Sequence, residues 1–158
     1  MIEIHKIEQG NREKVDAFIK HHWFTTQMVV HGECIDLGTA DGWYTSNYDE
    51  IIGMITYRII HHEMEILSLD SVHENQGIGT TLLNQAITKA KECDCSRVWL
   101  ITTNDNLSAL RFYQKRGFDI VRIHRNAVDV ARKLKPSIPI YGNDGIPIKH
   151  EIELEFNI

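Results

Sequence analysis

The chain has 158 residues, 42% of them hydrophobic and 25% charged, and a formal charge of −5. That length suits one domain, residues 1–158, with no second independent core. The composition excludes a disordered tail, a collagen-like rod and a disulfide-scaffold mini-protein.

Residues 2–7 alternate enough to predict a first strand. Asn11 then suits the cap of a helix running to about His22, with Val15, Phe18 and Ile19 on one face. Residues 23–42 are uneven, because Gly32, Gly38 and Gly42 interrupt any long element. Strands are predicted over 43–47, 51–60 and 64–72, joined by turns at Asn47–Glu50 and His61-His62, as an antiparallel meander. The period then changes. Leu82, Leu83, Ala86, Ile87 and Ala90 form a helical stripe within residues 80–92. Val98-Trp99-Leu100-Ile101 is a continuous apolar run, as expected of a strand buried on both faces. A helix over 107–116 stops at Gly117, and a strand follows over 118–125. The segment 126–149 holds all three prolines and is too long for a hairpin turn, with room for one short helix over 127–134. Residues 150–158 alternate strictly, which predicts a half-buried strand with Glu151, Glu153 and Glu155 on a charged outer face. The order is β-α-(α)-β-β-β-α-β-α-β-β, a mixed α/β fold with antiparallel strands first and a strand–helix–strand crossover in the middle.

Charge is uneven along this order. Residues 1–72 carry five basic and twelve acidic groups (5 − 12 = −7), and residues 73–158 carry twelve and ten (12 − 10 = +2). Eight basic residues fall within 106–135: Arg111, Lys115, Arg116, Arg122, Arg125, Arg132, Lys133 and Lys135. An acidic first part and a basic second part fit two partners of opposite charge, or a solvated mosaic. The first residues lack the order of a signal peptide, and no apolar run approaches the roughly 18 residues that span a bilayer. A cytoplasmic protein without a membrane partner is expected. Cys34, Cys93 and Cys95 are a poor disulfide framework. The histidine pairs His21-His22 and His61-His62 lack metal-ligand spacing, so no metal is expected. An overall negative charge with no reading motif disfavours nucleic acid as a partner.

The most chemical stretch is Leu69-Asp70-Ser71-Val72-His73-Glu74-Asn75-Gln76-Gly77-Ile78-Gly79-Thr80-Thr81. A strand ends, small residues follow and a helix begins. The first-turn N–H groups lack intrahelical partners and sit at the positive end of the helix dipole. Glycines there let a ligand approach the backbone. Together these make a phosphate or pyrophosphate cradle, although a Gly-x-Gly at a helix start also serves plain packing. No Gly-Lys-Ser/Thr follows, so it is not a Walker loop, and the third glycine of the dinucleotide fingerprint is missing.

This strand, Gln-Gly-Ile-Gly-Thr-x-Leu-Leu, the helix, the apolar strand and then Asn106-Leu107-Ser108-Ala109-Leu110-Arg111-Phe112-Tyr113 resemble the GNAT superfamily of acyl-CoA N-acyltransferases. The resemblance is specific over residues 63–125 and architectural elsewhere. It implies a central, mostly antiparallel mixed sheet flanked by helices, with acetyl-CoA as co-substrate. The family's Arg/Gln-x-x-Gly-x-Gly/Ala motif falls on Glu74–Gly79. Glu74 departs from it, and a carboxylate there repels a pyrophosphate, so the backbone from Gln76 to Thr81 (Gln76, Gly77, Ile78, Gly79, Thr80, Thr81) is implied to carry the contact. The resemblance also implies that backbone groups of Leu69 and Ser71, with Asp70 between, pair with the pantetheine arm. The Leu69 N–H then serves as an oxyanion donor.

Asn106 matches a coenzyme-contacting asparagine of the family, and equally suits a plain helix cap. Tyr113 matches the family's general acid. A tyrosine pKa of about 10 against about 8.5 for a thiol makes donation to the leaving thiolate workable. A primary amine of pKa about 10.4 must lose a proton before attack, and a carboxylate can take it. Glu63 and Glu65 have the parity of Leu67 and Leu69, which is expected to put them on one face of that strand. Glu65 lies nearer the chemistry and is the first choice, Glu63 matches the base position of some relatives, and Asp70 and His73 are further alternatives.

The leading reading is therefore an N-acetyltransferase that moves acetyl from acetyl-CoA to a primary amine by direct attack in a ternary complex. The basic segment suits the coenzyme phosphates, and the acidic part suits a cationic acceptor. The alternative is an acyl-CoA-binding or sensing module of the same fold. The chain is expected as a monomer or homodimer, the latter through the alternating last strand.

Overall fold

A computed structural model describes residues 2–73 and 75–158. In chain order the elements are β1 (Ile2–Lys6), α1 (Arg12–Trp23), β2 (Gln27–Val30), β3 (Glu33–Asp36), β4 (Asp41–Asn47), β5 (Glu50–Ile60), β6 (Glu63–Ser71), α2 (Ile78–Glu92), β7 (Arg97–Thr103), α3 (Leu107–Gln114), β8 (Asp119–His124), α4 (Ala127–Leu134) and β9 (Glu151–Asn157). This is the expected mixed α/β architecture, with mostly antiparallel strands and flanking helices. The chain divides into two compact units. One holds the chain up to Gln27, Asp36–Val98 and Ile158; the other holds Met28–Ile35 and Trp99–Asn157.

One element differs from the expected order. Where a second helix was expected after α1, β2 and β3 form a two-stranded ribbon. Met28-Val29-Val30 favours a strand because β-branched side chains fit a pleated surface. His31 (φ 54°) and Gly32 (φ 69°) are both left-handed, as a two-residue type I′ turn requires. Asn11 precedes α1 as expected, but its side chain turns backward. Its Oδ1 accepts the Glu8 N–H at 2.8 Å and its Nδ2 donates to the Lys6 carbonyl at 2.9 Å.

In the first unit, β1, β4, β5 and β6 lie side by side in that order, each antiparallel to the next. The register places His5, Tyr44, Met54 and Asp70 opposite one another in one row across the four strands. Two bulges interrupt the ladders. Between β4 and β5 the pairing passes from Thr45↔Gly53 to Ser46↔Ile51, so Ile52 is the extra residue. Between β5 and β6 it passes from Thr56↔Ser68 to Tyr57↔Ile66, so Leu67 is the extra residue.

One face of this sheet packs on α2 through Leu82, Leu83, Ala86 and Ala90, all nearly inaccessible. Gly53 is what lets α2 come so close: a Cβ built there would stand 2.4 Å from Ile78 Cγ2. The opposite face receives α1. Lys14 Nζ lies 5.8 Å above the Tyr44 ring, and Trp23 reaches Asp70.

In the second unit, β9 lies between β7 and β8, and α3 packs against β8. An interior strand has no free edge, so β9 cannot pair across a dimer in the way its alternation suggested. Its outer face also differs from expectation. Glu151 and Glu153 are only 4% and 5% exposed. The His31 N–H at the β2–β3 turn donates to Glu151 Oε1 at 3.3 Å, and His124 Nε2 lies 3.3 Å from Glu153 Oε1. The long segment after β8 contains α4 over the predicted residues and is tied down by polar contacts. Arg132 donates to the carbonyls of Ile138, Pro139 and Ile148, while the Asn104 side chain accepts from the N–H groups of Lys149 and His150.

Candidate active site

The site begins where β6 ends. Leu69 and Asp70 are half-buried and Ser71 is exposed. The Ser71 hydroxyl donates to the His73 carbonyl at 2.9 Å, and the Val72 N–H donates to the Ile52 carbonyl at 2.8 Å. Both bonds hold the turn as it leaves the sheet. Glu74, whose charge departs from the family motif, lies outside the described residues.

Gly77 caps α2 in the left-handed region (φ 76°, ψ 5°), a conformation that costs a residue with a Cβ. It has no side chain to accept a first-turn N–H, and a Cβ built on it would meet nothing within 4 Å. Among the described residues the space beside Gly77 is therefore clear, while the next residue, Ile78, is buried against the sheet at Gly53. Thr81 closes the first turn, donating from both its N–H (3.0 Å) and its hydroxyl (2.9 Å) to the Gly77 carbonyl. The α2 N-terminus carries the partial positive charge of the helix dipole and starts at this left-handed glycine.

The carboxylates of β6 divide differently from the expectation of simple alternation. Residues directly opposite in an antiparallel ladder share a face. The bulge at Leu67 shifts the parity of β6, so Glu63 and Glu65 share a face with Ser68 and Asp70, while Leu69 turns to the α2 face with Ile66. Glu65 is 3% exposed and accepts from Arg58 Nε at 2.9 Å; the two residues are register partners. Glu63 accepts from Arg97 Nε at 3.0 Å. Next along that face, Ser68 and Thr56 join hydroxyl to hydroxyl. Asp70 follows, and its Oδ2 accepts the Trp23 indole N–H at 2.9 Å. Burial pushes the Asp70 carboxyl above its ordinary value, partly offset by the indole hydrogen bond and by His22. His73 is exposed.

In the second unit, Asn106 stands at the α3 N-cap, where its Oδ1 accepts the Ala109 N–H at 3.2 Å and the Ser108 hydroxyl at 3.3 Å. The capping role is realised, and its Nδ2 makes no hydrogen bond among the described residues. Tyr113, 6% exposed, meets Phe112 and Phe118 edge to face at 5.1 Å and 5.2 Å. Of the basic residues in 106–135, Arg132 is spent on the loop carbonyls. Arg116 lies over the Phe112 ring at 3.7 Å and donates to the Phe112 carbonyl. Among the described residues, no group of three or more His, Cys, Asp or Glu side chains is placed to hold a metal. No helix among them is long and apolar enough to cross a membrane.

Sequence reasoning missed the partners that engage these groups. Trp23 as a donor to Asp70, Arg58 on Glu65 and Arg97 on Glu63 are separated by 47, 7 and 34 positions. No local pattern carries such contacts. The Arg58–Glu65 pairing follows from the meander register once the bulge is placed.

The family model "Acetyltransferase (GNAT) family" matches residues 4–118, from β1 through the end of α3. The chain belongs to the GNAT acetyltransferase family. The GNAT match thus includes β6, the glycine turn, α2 and α3, and ends before the segment of α4 and β9. A Bacillus subtilis protein, "Uncharacterized protein YxbD", is 45% identical over 147 residues, 92% of each chain. The human N-alpha-acetyltransferase 30 is 34% identical over 95 residues, 53% of this GNAT chain and 26% of its own. A GNAT acetyltransferase from Elizabethkingia anophelis, solved with acetyl-CoA bound, shares the fold at a TM-score of 0.70 and 24% identity, over 99% of this chain and 98% of that one.

Proposed function

We propose that this protein transfers the acetyl group of acetyl-CoA to a primary amine by direct attack in a ternary complex. The observation that carries the reading is the turn after β6. Gly77 starts α2 in the left-handed region without a side-chain cap, and a Cβ built on it would meet nothing within 4 Å, within the part of the chain that matches the family. That start supplies backbone donors and a positive dipole end to the coenzyme pyrophosphate, through Gln76 to Thr81. The polar backbone of Leu69 and Ser71, flanking Asp70, serves the pantetheine arm, with the Leu69 N–H polarising the thioester carbonyl. Asn106 adds a coenzyme contact through its Nδ2.

Tyr113 is the proton donor to the departing thiolate. Its buried ring is held between two phenylalanines, so the phenol has a fixed position. The proton acceptor is a carboxylate of β6, for which the sequence offers Glu65 first and Glu63 second. The acceptor is a cationic amine, in keeping with the −7 of residues 1–72. An amine acceptor also agrees with the name of the N-alpha-acetyltransferase relative. Cytoplasmic location, no nucleic-acid or membrane partner, and a monomer or homodimer complete the reading.

The test is an acceptor screen that detects free CoA thiol, scored against water alone, together with calorimetry of CoA. Thiol release that depends on an amine is the expected result. CoA binding without transfer to any amine indicates a sensing module instead. No CoA binding at millimolar ligand overturns both.

A further inference from the structure

The face of β6 that carries Glu65 ends at a carboxylate in a different situation from either glutamate. Glu65 and Glu63 each receive an arginine Nε, at 2.9 Å and 3.0 Å. Asp70 instead has one oxygen held by a neutral donor, the Trp23 indole, at 2.9 Å. It is half-buried, it follows Leu69 directly in the chain, and the Leu67 bulge returns it to the face of Glu65. Trp23 is the last residue of α1, so a whole helix positions this one donor.

We infer that Asp70 is the general base that takes the proton from the acceptor ammonium, with Trp23 as its positioning residue. The inference rests on the acetyltransferase reading and replaces Glu65 within it. A carboxylate bound to a guanidinium gives up that partner's charge when it is protonated, whereas a carboxylate held by an indole loses no ion pair. Asp70 is also one residue from the N–H that would hold the thioester oxygen, while Glu65 lies beyond the bulge.

The step balances as follows. The Asp70 carboxylate accepts one proton from the ammonium. The freed nitrogen lone pair forms the C–N bond at the thioester carbonyl carbon, and the C–S bond breaks with its electron pair on sulfur. Tyr113 protonates the thiolate. The second nitrogen proton and the proton held by Asp70 leave to solvent, and the tyrosine oxygen takes one proton back from solvent. The amide, CoA thiol and one proton are the products.

The groups around Asp70 decide its pH response. From α1, His22 and the Trp23 indole both favour the charged form, while burial opposes it more strongly. From β5 the facing residue is the neutral Met54. Next in that row is Tyr44 on β4, with His5 stacked on its ring at 4.9 Å and Lys14 above it. Along β6 the nearest charge on the same face is Glu65, already paired with Arg58. Removing the indole donor takes away one stabiliser of the carboxylate, so the Asp70 pKa rises further.

The experiment compares wild type, Asp70→Asn, Trp23→Phe and Glu65→Gln with acetyl-CoA and an amine that supports turnover. Asp70→Asn is expected to lower kcat by about a hundredfold or more, with CoA affinity by calorimetry unchanged. Trp23→Phe is expected to keep kcat at high pH while the acidic limb of kcat/KM moves to higher pH. Glu65→Gln is expected to melt at lower temperature, because it removes the ion pair with Arg58. An active wild type with an active Asp70→Asn, or an unmoved limb in Trp23→Phe, overturns the assignment and leaves the acetyltransferase reading standing. Absence of turnover in the wild type with every amine overturns the reading, and the assignment with it.

Discussion

Tyr113 and Phe118 share a buried aromatic cluster in which Phe118 is 2% exposed and also meets Phe156 at 5.5 Å. Removing the Tyr113 hydroxyl leaves those ring contacts in place, so an effect on chemistry separates from an effect on packing. Tyr113→Phe is expected to lower kcat by about a hundredfold, with CoA affinity and the circular-dichroism melt close to wild type; unchanged turnover removes the acid role. At this scale the sequence was informative where a residue's role depends on its neighbours in the chain. Asn106 at a helix start and Gly77 before an apolar stripe are of that kind. It was silent where the role depends on a partner across the fold. Glu151 and Glu153 read as a solvated stripe because nothing in residues 150–158 announces His31 or His124.

Among the elements, the start of α2 depends on Gly53 as much as on its own glycines. A Cβ at Gly53 would stand 2.4 Å from Ile78 Cγ2, 3.1 Å from Thr45 Oγ1 and 3.2 Å from the Asp70 carbonyl. Each neighbour belongs to a different element, and two are near the proposed coenzyme site. Gly53→Ala therefore pushes the first turn of α2 away from the sheet. It is expected to destabilise by about 1–3 kcal/mol, the usual cost of overpacking, and to weaken CoA binding. Chemical denaturation and calorimetry measure the two effects; a stability loss with unchanged CoA affinity separates the helix start from the coenzyme. Elements with a clear period were legible, including α4 inside a proline-bearing loop. The β2–β3 ribbon was not, because His31-Gly32 forms a turn through its backbone angles while the glycine-interrupted stretch has no period. The bulge at Leu67 was equally invisible. Alternation assigns faces only while every residue has one partner, and one extra residue put Glu65 and Leu69, expected on one face, on opposite faces.

Across the whole molecule, the charge of −5 conceals carboxyl groups that the fold holds away from water. Burial raises both Asp70 and Glu151 above their ordinary values of 3.8 and 4.5, against smaller opposing effects of hydrogen bonds and nearby histidines. An acid whose folded pKa is raised binds its proton more tightly when folded. Its contribution to stability is complete below the unfolded pKa and is lost as pH rises through the folded value. The expected stability curve therefore falls between about pH 4 and the raised values, before any loss from alkaline titration. Tyr57 does not enter that window, since burial, Asp41 and Cys93 push its pKa up to about 12. Glu151→Gln tests the argument because it keeps an oxygen for the His31 N–H and removes the titration. Thermal melts followed across pH 4 to 8 should show a shallower decline for Glu151→Gln than for wild type, with the two curves converging at the acid end. A parallel decline in both proteins would mean that folding leaves the Glu151 pKa at its ordinary value, with the His31 N–H and then His124 offsetting its burial completely.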